Sequence, residues 1–123
     1  MRGDIRTAED IDALVRAFYE RARPDPLIGR FFVGLVWDRH IPRITAFWRM
    51  VLLGDRGYQG DPMTAHVQLA QRMPVRPEHF KQWLMLWEAA VEELFDGPKA
   101  DEAKQRARTI AAVMAHKVAA GKD

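Results

Sequence analysis

Between Thr7 and Pro24 the apolar residues Ile11, Leu14, Val15, Phe18, Tyr19 and Ala22 recur every three or four positions. That spacing places them on one stripe of an α-helix. Thr7 suits the N-cap, and Glu9 and Asp10 put negative charge at the positive end of the helix. Pro24-Asp25-Pro26 ends it, because proline breaks the hydrogen-bond ladder. A second stripe, His40, Ile41, Ile44, Phe47, Trp48, Val51 and Leu52, predicts a long helix opening at Trp37-Asp38-Arg39-His40. Asp38 is its expected N-cap, Pro42 is tolerated in the first turn, and Gly54 stops it. A short helix is expected after Asp61-Pro62, with His66 sharing a face with Met63, Leu69, Ala70 and Met73. Pro74 and Pro77 close it. Pro77-Glu78 starts the next helix, whose inner face carries Phe80, Trp83, Leu84, Trp87, Val91, Leu94 and Phe95 up to Gly97-Pro98. The last helix is predicted from about Lys99 to Ala120, with Gly121 as its cap. Its face is made of small residues, Ala103, Ala107 and Ala111, with Ile110, Met114 and Val118.

Leu27 to Val36, with Phe31 and Phe32 between Gly29 and Gly34, is the one ambiguous tract. Alone it reads equally as a strand. No second convincing strand exists to pair with it, so it is expected to be a tight, partly helical connector. Asp55 to Gly60 reads as a loop. The chain shows no internal repeat or low-complexity segment. The pattern predicts an all-α protein with four substantial helices and one short one.

Composition narrows the picture. The 123 residues suit one domain, 1–123, and 48% are hydrophobic, enough for a sizeable core. With no cysteine there is no disulfide, thiolate metal site or cysteine nucleophile. That fits a reducing, cytoplasmic setting. No apolar run follows the N-terminal arginine as in a signal peptide, and none is long enough to span a membrane, so neither is expected. The net charge is only +2, from 19 basic and 17 acidic residues. The arginines are scattered rather than gathered in a stripe, so nucleic-acid binding is not expected either.

Four histidines carry the candidate chemistry. His79, in a polar first turn, and His116, near the end of the last helix, read as surface residues. His40 and His66 lie on the apolar sides of their helices. Each alone is either a core histidine satisfied by a backbone carbonyl or a metal ligand. A closed zinc site needs about four ligands, and neither cysteine nor acidic residues supply the rest at ligand spacing. There is no His-Glu-x-x-His and no Glu-x-x-His, so a carboxylate-bridged di-iron bundle is also unsupported. A cofactor that brings most of the metal's ligands needs only one or two histidines, and haem does this. It would also use the six Phe and four Trp, since a macrocycle wants aromatic walls. Phe32, Phe47, Trp48, Phe80 and Trp83 are candidates, although each at helical spacing is equally a core residue.

An ordered series of short motifs goes further. Phe18-Tyr19, Gly29-Arg30-Phe31-Phe32, Trp37-x-x-His40, Phe47-Trp48 with Leu52-Leu53-Gly54, Tyr58-x-Gly60-x-Pro62 leading to His66, and Trp83-Leu84 occur in sequence from about residue 11 to 118. The series resembles the truncated haemoglobins, specifically their third group, and like that group it lacks glycine-glycine motifs. The tract from Gln71 to Pro77, and Pro42, do not match. The resemblance implies a two-over-two helical sandwich around haem b. His66 would be the proximal iron ligand, and Tyr19, His40 and Trp83 would stabilise a diatomic ligand (O2, NO or CO) on the distal side. Phe32, Ile44, Phe47, Trp48, Met63 and Phe80 become pocket-wall candidates. Arg43 matches a position that meets a haem propionate, although a solvated arginine would look the same. Several donors on one ligand would slow its release, which favours redox work on a held ligand, nitric-oxide dioxygenase-like or peroxidase-like, over O2 transport. No Gly-x-Gly-x-x-Gly motif is present, so a partner reductase would supply electrons. The alternative is a cofactor-free helical interaction module whose inward histidines are simply core.

Overall fold

The computed structural model describes residues 2–56 and 75–120. Four α-helices are present among them: α1 (Ala8–Ala22), α2 (Trp37–Leu53), α3 (Pro77–Leu94) and α4 (Pro98–Ala120). A 3-10 turn, Gly29–Phe32, interrupts the connector between α1 and α2, as its glycine-bounded apolar composition predicts. The expected short helix with His66 and Met63 lies outside the described residues.

Local chemistry sets the helix ends. The Asp10 N–H donates to Thr7 Oγ1 at 3.2 Å, and the Thr7 N–H donates back to Asp10 Oδ2 at 3.0 Å. This reciprocal box satisfies donors that the first turn leaves orphaned. α2 departs from expectation at its start. Val36, not Asp38, is the N-cap, and its carbonyl accepts from Arg39 and His40. The preceding 3-10 turn fixes where the chain can enter the helix, and Asp38 is left in the first turn, where its charge still meets the positive end. At the other end Gly54 adopts φ +75°, a left-handed cap open to glycine.

α4 begins one residue earlier than predicted, at Pro98, and is capped from far away. The N–H groups of Lys99 and Ala100 donate to the Asp4 carboxylate at 2.9 and 2.8 Å. Gly97 makes the approach possible. At its φ of +145°, a Cβ would sit 2.6 Å from Asp4 Cγ.

α1 packs on both α2 and α3, α3 packs on α4, and α2 touches α4. The helices thus pack as α1 with α2 and α3 with α4, joined through α1 and α3 around one core. Trp87 is fully buried at its centre and donates its indole N–H to the Ala103 carbonyl at 3.2 Å. Trp48 stacks on it with ring centroids 4.3 Å apart and planes 19° from parallel. The alanines of α4 explain the fit, since Ala100, Ala103 and Ala107 are buried and let the helix come close to the indoles. Burying a large side chain of this kind contributes about 1.5–3 kcal/mol. No helix among the described residues is long and apolar enough to cross a membrane.

Candidate functional site

The connector between α1 and α2 positions the site. Asp25 accepts the N–H groups of Leu27 and Ile28 at 2.9 and 3.0 Å, and its other oxygen accepts the Gln82 amide of α3 at 2.7 Å. Burial acts to raise its carboxyl pKa, but these donors outweigh it and hold the group below the usual value. Gly29 completes the turn. A Cβ there would lie 2.5 Å from the Arg23 carbonyl, so only glycine permits this close return of the chain. Phe31 and Phe32 are thereby held inward, beside α3.

A half-open apolar cleft follows from that placement. Ile28, Phe31, Phe32, Phe80, Trp83 and Met114 line it, with Val75, Ala111 and His79. Phe32 also meets Tyr19 edge-on, with centroids 5.4 Å apart, so one ring serves both the cleft and the polar group behind it. That group is a pair. Tyr19 Oη lies 2.6 Å from His40 Nε2, a short hydrogen bond between α1 and α2. Tyr19 is buried, and burial pushes its phenol well above the usual range, so the hydroxyl keeps its proton. Phe18, Phe32, Trp37 and His40 all present edge-on rings to it.

The residues singled out from sequence thus fall into several places. Tyr19 and His40 are joined directly, and Phe32, Phe80 and Trp83 line the adjoining cleft. Ile44 and Phe47 are half-buried against the core, and Phe47 sets its ring edge-on to Trp48 at 5.5 Å. Trp48 itself is in the core, 2% exposed and stacked on Trp87, rather than on the cleft. Arg43 is exposed. His66 and Met63 lie outside the described residues.

His79 corrects the reading of it as a surface residue. It is only 7% exposed. Its Nδ1 turns back to accept the Arg76 N–H at 2.9 Å, and its ring meets Phe31 edge-on at 4.9 Å. A histidine three residues after the N-cap can close the helix start as a glutamate does, and this one is drawn under the chain in doing so. His116 is exposed, as expected. Sequence reasoning also gave no role to Trp37, although it opens the Trp37-x-x-His40 motif. It packs against both Tyr19 and His40.

A helical sandwich with a part-buried phenol–imidazole pair beside an aromatic cleft is the architecture of a globin-type ligand pocket. The lining has the chemistry a flat aromatic macrocycle needs: it is mostly aromatic and aliphatic, with few hydrogen-bonding groups. Comparison with known proteins names the family. Residues 4–119 match the family described as bacterial-like globin. The chain is 31% identical over 117 residues to the group 3 truncated haemoglobin ctb of Campylobacter jejuni, covering 90% of each protein. It also superposes on the crystal structure of a group III truncated haemoglobin from Campylobacter jejuni with a TM-score of 0.86 and 29% identity, covering 96% of this chain and 95% of that one. The chain belongs to the bacterial-like globins and, within them, to the group 3 truncated haemoglobins. It is a haem-binding, all-α protein of that fold.

Proposed function

We propose that residues 1–123 form one globin domain that takes haem b in the cleft, with His66 as the iron ligand on one side and Tyr19, His40 and Trp83 facing a diatomic gas on the other. The activity is redox work on a held ligand, of the nitric-oxide dioxygenase or peroxidase kind, with electrons from a partner reductase in the cytoplasm. The observation that carries this reading is the 2.6 Å bond between Tyr19 Oη and His40 Nε2 beside the cleft.

Haem, when bound, supplies an iron that takes O2, NO or CO and exchanges electrons. The protein's part is the placing of protons. When His40 carries its proton on Nδ1, Nε2 accepts the Tyr19 hydroxyl, and the phenol proton is turned away from the cleft. When Nε2 is protonated, it donates to Oη, and the phenol proton is released toward a ligand. Because burial keeps the phenol protonated, the pair always holds this proton, and the state of His40 decides where it points. The Trp83 indole N–H is a donor in every state. Phe32, Phe80, Ile44, Phe47 and Met63 would exclude water from the cofactor, Trp48 packs edge-on to Phe47, and Arg43 would pair with a propionate.

The purified protein is expected to show a Soret band that His66→Ala removes. A protein that contains no haem and takes up none on titration would leave the cofactor-free interaction module instead. In the haem-loaded protein, Tyr19→Phe and Trp83→Phe should each speed O2 release on the order of tenfold to a hundredfold, the worth of one hydrogen bond to a group with developing charge. Rates unchanged in both variants would favour simple O2 delivery.

A further inference from the structure

Trp37 has no place in the proton exchange above, yet three observations converge on it. It opens α2 and packs edge-on against both members of the pair, 5.1 Å from Tyr19 and 5.6 Å from His40 by ring centroids. Its ring also meets Phe32, which lines the cleft, at 6.2 Å. From the outer side the Arg23 guanidinium lies 4.3 Å above the Trp37 ring, a cation–π contact. Arg23 is the C-cap of α1. The contact therefore ties the end of the helix bearing Tyr19 to the start of the helix bearing His40. Both residues border a surface groove between α1 and α2 that has Tyr19 at its floor.

The geometry points to a clasp: Arg23 holds Trp37 against the Tyr19–His40 pair, and Trp37 positions that pair and narrows the access of groove water to it. Trp37 is a positioning residue, because it touches the donors and not the ligand. The physical reason is competition. A water molecule reaching His40 Nε2 or Tyr19 Oη offers both a donor and an acceptor and loosens the one-to-one exchange between them. An indole ring offers no acceptor and at most one N–H. The groove also carries Glu20 and Asp38 as well as Arg16 and Arg23. Charges of both signs argue against a general field effect of Arg23 and for its local contact with the ring. The inference rests on the haem-pocket reading, since it concerns donors aimed at a ligand there.

The test uses haem-loaded ferrous protein with CO bound, which is diamagnetic and open to NMR. The parent protein should give one iron–CO stretching band and one set of His40 ring-nitrogen shifts. Arg23→Gln and Trp37→Ala should each add a second band and a second His40 tautomer, and speed O2 release about tenfold, equivalent to about 1.4 kcal/mol. Arg23→Lys, which keeps a cation over the ring, should restore the parent's single band. The clasp is overturned if the Gln and Ala variants, with native helix content and a normal Soret band, keep one band and one tautomer. If Trp37→Ala does not fold, the exposed Arg23 pair decides alone. A missing Soret band in the parent protein fails the haem reading, whereas a normal one with unmoved CO bands fails only the clasp.

Discussion

Two groups of rings meet at Phe18 and behave differently. On one side Phe18 sets its edge against Trp83 and Trp87, and Trp87 stacks on Trp48. On the other it meets Tyr19, which is ringed by Phe32, Trp37 and His40. The Trp48–Trp87 stack is sealed by the alanines of α4 and holds no titratable group. The Tyr19 group lies between a cleft and a surface groove and carries a phenol, an imidazole and, outside, a guanidinium. In the first group shape decides everything, because a dense interior registers the loss of a few atoms. In the second, on the proposed function, the direction of one proton would matter more than volume. The same kinds of ring thus build a sealed stack on one side and a polar pair between a cleft and a groove on the other.

Substitution separates the two. Trp87→Ala should cost about 3–5 kcal/mol, the penalty for emptying a large aromatic site in a packed core, read as a lowered urea midpoint by circular dichroism. A loss below about 1 kcal/mol would mean that the stack is no tighter than the Tyr19 group. Tyr19→Phe keeps the ring and removes one hydrogen bond, so stability should move by no more than about 1.5 kcal/mol while ligand release changes strongly. A large drop in stability with unchanged release would erase the contrast.

The smallest effect belongs to Asp4, which lies outside both groups. Asp4→Ala should cost about 1 kcal/mol, as for other lost helix caps. Burial acts to raise the pKa of this carboxyl, but the N–H groups of Lys99, Ala100 and Ile5 outweigh it and hold the value below the ordinary one. The ionised form therefore stabilises the folded chain. Its contribution is complete above the ordinary carboxylate value of about 4 and fades as pH falls through the lower folded value. The gap in urea midpoint between the parent and Asp4→Ala should accordingly shrink between pH 7 and strongly acid solution. A gap that stays constant would mean the charge plays no part.

These cases show what could be read from the chain. The Thr7 and Gly54 caps were legible because each is decided within a few residues, while the return bond between Asp10 and Thr7 appears only in the structure. The entry to α2 was not, because Val36 caps that helix only once the Gly29–Phe32 turn has set the direction of approach. His79 was misplaced for a related reason: its polar neighbours suggested solvent, while its own ring closes the helix beneath it. Tyr19 and His40 could be named, but only the fold brings helices 21 residues apart in sequence into a 2.6 Å bond. Phe47 and Trp48 are adjacent on one predicted stripe, and periodicity gives no means of telling which of them turns to the core. His66 rests on resemblance alone.

The Asp4 cap has a further meaning for how the chain assembles. Its partners lie 95 and 96 residues away, so the contact spans nearly the whole sequence. Closing so long a loop carries a large entropy cost, while each helix can form from neighbours alone. A carboxylate that docks only after the helices have packed would act downstream of the folding barrier. Interactions made that late slow unfolding and leave the folding rate almost untouched. Asp4→Ala should accordingly speed unfolding and leave the folding rate almost unchanged in stopped-flow measurements; a slowed folding rate would place the contact on the way to the barrier.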